Sequence, residues 1–279
     1  MSVFNPDIAA KAMMPKELLA MASSLHLAIH VHDELVQVLV YDFEAGEVLW
    51  LEYFESEEHA QGDLQKSVDF VMLKNWGERV FRKVSLSFDY PDFTLLPQGF
   101  LIEGKEQEIL AFATGRNPDC TEVQSLNDLQ VAIVYDLPLS LQALATRFPN
   151  VKYYSSVSFF LQEASRKTVG QSDFHILVQK GFMLVAAFHD GEMKLTNHYG
   201  IQSNDDVLYH IANAAMRLGI LMSAASVTLY GASASVELQA LLQDYIGGIQ
   251  FWQRPSDLKS VHTVPDHKVY AALIHCLCA

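Results

Sequence analysis

Basic residues are scarce. The chain sets 19 Lys and Arg against 33 Asp and Glu, a formal charge of −14 at pH 7. Binding to a phosphate backbone draws on Lys and Arg, so nucleic acid is not an expected partner. Cysteine is scarcer still: Cys120, Cys276 and Cys278 form no framework and no Cys-x-x-Cys pair. That excludes a disulfide scaffold and suits a reducing compartment. No apolar run reaches the roughly 18 residues of a membrane helix, so no membrane span is expected. The first residues mix Lys, Glu and Asp among the apolar ones, unlike a signal peptide. A cytoplasmic protein is therefore expected. Also missing are Gly-x-x-x-x-Gly-Lys-Ser/Thr, Gly-x-Gly-x-x-Gly and Gly-x-Ser-x-Gly, so phosphate-loop, dinucleotide and nucleophile-elbow chemistries have no motif to stand on.

What the sequence does have is apolar content. Of 279 residues, 50% are hydrophobic and 11% aromatic. This is enough for one large domain or two of about 130–150 residues.

The pattern inside that length repeats. "LHLAIHVH" (25–32), "LVQVLVYDF" (35–43) and "EVLWLEYF" (47–54) alternate with period two and are joined by short polar or Gly turns, which predicts a three-stranded meander. A helix follows, with Leu64, Val68, Val71, Met72 and Trp76 on one stripe. A fourth strand, "KVSLSFDYP" (83–91), comes next. The same order returns in "FHILVQK" (174–180), "FMLVAAF" (182–188) and "EMKLTNHY" (192–199). A second helix is N-capped at Asn204, and "SVTLYGAS" (226–233) is again a fourth strand. Each copy continues with helices and strands: helices near 107–113, 137–148 and 157–165 and strands at 129–135 and 151–154 in the first, then helix 236–245, strand 248–252 and a closing helix 270–277 in the second. "SRKTVGQSD" (165–173) reads as the linker.

This duplicated order resembles the actin-like ATPase (ribonuclease H-like) fold, and is similar to its pilus and secretion scaffold members and to an uncharacterised bacterial family. The resemblance implies an α/β protein of two tandem lobes, residues 1–170 and 171–279. It also implies ATP between them, held by two Asp-x-Gly hairpins and an adenosine loop. The first hairpin is matched by His30 and His32, the second by Gln179 and Gly181. Asp33 lies three residues beyond His30, so a shifted register would supply one carboxylate but not the Gly beside it. Gly231, Ala232 and Ser233 match the adenosine loop. A phosphotransferase needs a carboxylate as base or Mg²⁺ anchor, and neither turn supplies one there. The expectation is therefore a non-catalytic or weakly nucleotide-binding scaffold with protein partners and no catalytic residue. An ATP-dependent small-molecule kinase with atypical phosphate loops is the alternative.

Two other readings come from the residues alone. His26, His30 and His32 share one strand face, and a His-x-His pair can ligate zinc or iron if a third ligand, such as Asp33 or His175, joins it. The plainer reading is a polar face satisfied by neighbouring elements, so no metal is expected. Trp50 covers a sheet edge or meets a partner.

Overall fold

In the computed structural model, residues 13–32, 35–55, 64–89, 92–260 and 262–278 are described. The chain divides into two compact units. The first comprises Met1–Ser158, Ser256–His262 and His275–Ala279; the second comprises Phe159–Pro255 and Thr263–Ile274.

In the first unit α1 (Lys16–Ala20) leads into β1 (His26–His32), β2 (Leu35–Asp42) and β3 (Glu47–Glu55). Then come α2 (Leu64–Met72), β4 (Lys83–Phe88), β5 (Phe93–Pro97), α3 (Glu106–Thr114), β6 (Thr121–Leu126), β7 (Val131–Asp136), α4 (Leu139–Gln142) and β8 (Val151–Ser155). α5 (Ser156–Lys167) crosses the division at Ser158. In the second unit follow β9 (Ser172–Gln179), β10 (Phe182–His189), β11 (Glu192–Gly200), α6 (Asn204–Leu218), β12 (Ser226–Tyr230), α7 (Val236–Gln243) and β13 (Gly248–Phe251). β14 (Lys259–Ser260) belongs to the first unit, α8 (Tyr270–Leu273) to the second, and α9 (His275–Cys278) to the first again.

Two sheets have the same plan. One runs β14-β3-β2-β1-β4-β8 and the other β11-β10-β9-β12-β13. In both, the meander is antiparallel and the later strands join parallel to its first strand. β1 and β9 are central and are buried along their whole length on both faces. The alternation in β1 therefore does not mark a solvated side. Its histidines face a second buried layer.

Packing explains the second sheet directly. Phe174, Ile176 and Val178 of β9 join Met183, Val185 and Ala187 of β10 and Val227 and Leu229 of β12. Together they bury against Val207, Ile211, Ala214 and Ala215 of α6 and Leu238 and Leu242 of α7. Period two on the strands meets period 3.6 on the helices.

Several elements differ from the sequence expectation. A third sheet, β5-β7-β6, interrupts the first unit and has no counterpart in the second. The helix expected through Trp76 ends at Met72, and Trp76 sits on a separate 3₁₀ turn. The helix expected over 137–148 is α4 plus a 3₁₀ turn at Ala143–Thr146. The closing helix is broken between α8 and α9. The expected linker is mostly structured, since α5 runs to Lys167 and β9 starts at Ser172. Trp50 packs edge-on against Trp76, with ring centroids 6.2 Å apart.

The N-cap of α6 is Ser203 rather than Asn204. Its side chain accepts from the Asp206 amide, while the Asp206 carboxylate accepts from the Ser203 and Gln202 amides, a complete capping box. Ser203→Ala is expected to cost about 1 kcal/mol, seen as a lower midpoint in urea unfolding.

Candidate functional site

The two hairpins fix which residues correspond. His32 pairs with Leu35 and Gln179 with Phe182, so each hairpin closes through two residues. Gln179 therefore stands opposite His32 in the comparison, not opposite His30. Parallel pairing agrees: Leu27 lies beside Val84 as Phe174 lies beside Val227. On that register Asp89 matches Ala232 and Phe88 matches Gly231. Asp33, together with Glu34, lies outside the described residues.

In the first unit, β1 and β4 turn polar side chains into one buried layer. His26 Nε2 hydrogen-bonds with Ser85 Oγ at 2.6 Å. Ser85 Oγ hydrogen-bonds with His275 Nδ1 at 2.5 Å, and His275 Nε2 with Ser87 Oγ at 2.8 Å. Ser87 Oγ continues to His30 Nδ1 at 2.9 Å, and His30 Nε2 lies 3.3 Å from an Asp89 carboxylate oxygen. Hydroxyls and imidazoles alternate along the whole chain, because each can both donate and accept. Every member is at least 95% buried.

Charge is graded along this chain. Burial pushes the Asp89 carboxyl up, but His30, His32 and a hydrogen bond from Ser156 outweigh it and hold the group down at about 2. At the other end, burial, with help from Lys83, presses His26 down to about 3. Burial, then His26, His30 and Lys83, keeps His275 well below the usual histidine range. Asp89, His30 and Ser87 follow one another as an acid, base and hydroxyl would in a hydrolase. Ser87 is only 1% exposed, however, so no substrate reaches it. The arrangement can hold strands together and move protons, but it cannot attack a bound molecule.

In the second unit the Gly231 turn is a strand crossing. Gly231 has φ +100°, and a Cβ there would stand 2.2 Å from the Val178 carbonyl oxygen. Its amide donates to the His267 carbonyl at 2.9 Å, and the Ser233 amide donates to the Val178 carbonyl at 3.2 Å. The Ala232 amide donates to Gln179 Oε1 at 3.2 Å. All three amides of the turn thus already have acceptors within the unit. Gly181 has φ +82° with open space where a Cβ would be, the sign a type II turn requires at its second central residue, since Lys180 before it has no positive φ.

Among the described residues, no group of three or more His, Cys, Asp or Glu side chains is placed to hold a metal ion. His175, the distant third ligand in the sequence reading, hydrogen-bonds with Tyr230 at 2.8 Å and Thr168 at 3.1 Å. Sequence reasoning missed Ser85, Ser87, Asp89 and His275. A signal for the first three was present, since "VSLSFD" puts Ser85 and Ser87 on one side of β4 and Asp89 in step with them just past its end.

A family profile described as "Protein of unknown function (DUF3822)" matches residues 19–249. No curated protein sequence matches the chain. A Bacteroides thetaiotaomicron protein with actin-like ATPase fold and unknown function is similar with a TM-score of 0.79. It is 16% identical, and the match covers 94% of this chain and 98% of that one. A chain of the PilM–PilN type IV pilus biogenesis complex is similar at TM-score 0.58 and 8% identity, covering 90% and 97%. Likeness at these identities shows the fold: the chain has the actin-like ATPase fold. Among the described residues no helix is long and apolar enough to cross a membrane.

Proposed function

This chain belongs to the DUF3822 family, and from that membership and its fold we propose that it is a scaffold or adaptor whose nucleotide chemistry is lost or reduced. It works through contacts with another protein, in the cytoplasm. The carrying observation is that the polar groups of the Gly231 corner, and those described beside the first hairpin, are already engaged inside the fold. The Gly231, Ala232 and Ser233 amides have protein acceptors. His30 is fully buried between Ser87 and Asp89. Triphosphate hydrolysis depends on Mg²⁺ in oxygen coordination and on free donors around the phosphates. Asp89, the buried carboxylate beside His30, is held by His30 and Ser156. A partner protein is the natural alternative ligand for such a fold, as the PilM–PilN complex illustrates for a protein of similar structure.

Calorimetric titration with ATP and Mg²⁺ tests this reading. It predicts no saturable heat in the micromolar range and no phosphate release. Micromolar binding with steady phosphate release would replace it with the kinase-type alternative.

A further inference from the structure

The alternating chain of imidazoles and hydroxyls has an inner member, His275, on α9, the last helix among the described residues. His275 is the fully buried residue of α9, while Cys276, Leu277 and Cys278 are half-buried. Both of its ring nitrogens are bonded to hydroxyls of β4, Ser85 on one side and Ser87 on the other. α9 is thereby fastened to the sheet through a ring that must match its neighbours proton for proton.

The matching is strict. A neutral imidazole brings one N–H and one lone pair, and a hydroxyl brings one O–H and accepts readily. At one end of the chain His30 Nε2 faces the Asp89 carboxylate at 3.3 Å, an ion-pair distance rather than a hydrogen bond. His26 Nδ1 closes the other, buried and with no hydrogen-bond partner. With neutral rings each of the four imidazole–hydroxyl links has one hydrogen and one acceptor. A further proton on His275 makes both ring nitrogens donors. Either a serine hydroxyl then loses its acceptor, or His26 must move its hydrogen to Nδ1, where nothing accepts it. Buried donors without acceptors are costly.

The surroundings oppose that proton as well. From β1, His26 and His30 face His275, and His26 is 6.4 Å away ring to ring. From β4, Lys83 adds a positive charge, with Lys152 of β8 beyond it. Tyr154 of β8 meets the ring edge-on at 6.4 Å. Phe43, just past β2, stacks on His26 at 5.2 Å, and Lys83 lies over the Phe43 ring. The carboxylate that favours positive charge, Asp89, stands at the far end, beyond Ser87 and His30.

We propose that the Asp89–His30–Ser87–His275–Ser85–His26 chain is a proton-sensitive latch that keeps α9 on the sheet while His275 is neutral and releases it in acid. Released, His275 takes up a proton as an ordinary histidine does. Each pH unit below about 6.5 then favours the released state roughly tenfold. Above that pH the latch is insensitive.

Hydrogen exchange of the full chain, corrected for the intrinsic pH dependence of amide exchange, measures this. The opening constant for residues 275–278 is expected to be flat from pH 8 to 7. It should then rise about 30-fold by pH 5, ahead of the β1 and β2 amides. In His275→Gln, whose side chain hydrogen-bonds without titrating, the rise should disappear. ¹⁵N shifts of His275 in the unaltered protein should show a neutral ring at pH 7. A pH-independent opening constant in the unaltered protein would overturn the latch, even if the variant fails to fold. So would an imidazolium at pH 7, or a 30-fold rise kept by His275→Gln.

Discussion

Gly231→Ala is expected to cost the second unit about 3 kcal/mol or more. Two effects add. At φ +100° an L side chain is strained whatever the space around it. The new Cβ would also meet the Val178 carbonyl oxygen at 2.2 Å and the Leu177 side chain at 3.0 Å. That carbonyl is backbone in a central strand and also accepts the Ser233 amide. Moving it away breaks a bond of the turn itself. Gly46→Ala is the control, because Gly46 has φ +64° and nothing within 4 Å of a Cβ. It should cost only about 1 kcal/mol. Urea unfolding of both variants measures the difference, and equal costs would show that the crossing at Val178 does not constrain position 231.

The second large effect is acid lability. His26 is held at about 3 and His175 at about 4, both first by burial, with Lys83 adding to the effect on His26 and Asp173 opposing it on His175. His275 lies well below its usual value. These folded values are lowered, so below about pH 6.5 the unfolded chain binds more protons than the folded one, and stability falls as pH falls. At pH 5 each such histidine costs about 2 kcal/mol. That is about 4 kcal/mol in the first unit, from His26 and His275, and about 2 in the second, from His175. Total stabilities are typically about 5–15 kcal/mol. Asp89 does not compensate: its lowered carboxyl contributes fully above the ordinary aspartate range and loses that contribution only as pH falls toward about 2. Tm should be level between pH 8 and 7 and fall steeply between 6.5 and 5. A Tm unchanged at pH 5 would contradict the buried neutral histidines.

How much of this was legible follows from range. The meanders, their helices and the fourth strands showed in local periodicity; the structure places the meander strands within a residue or two of their expected ends, while α2 and both fourth strands end three or four residues earlier than expected. The three-stranded sheet did not show, because β6 reads "TEVQSL", too polar to stand out, and β5 is five residues long, follows Pro91 and ends on Pro97, which breaks any strand pattern. Ser203 and Asn204 are both cap formers in adjacent places, and only the reach of Asp206 decides between them. In the candidate site, the shared face of His26, His30 and His32 could be read from alternation. Its cover could not, because His275 stands 190 positions from Ser85. No pattern of period two or 3.6 links residues so far apart. The corner at Gly231 was visible as a glycine after a strand, but that its amides were already taken depended on His267, Val178 and Gln179, which only folding brings there.

The corner resembling an adenosine loop is closed by the protein's own acceptors. Residue-level hydrogen exchange at Gly231, Ala232 and Ser233, with and without saturating ATP and Mg²⁺, tests it most directly. Protected amides whose exchange is the same in both conditions are expected. Fast exchange that slows when nucleotide is added would contradict it.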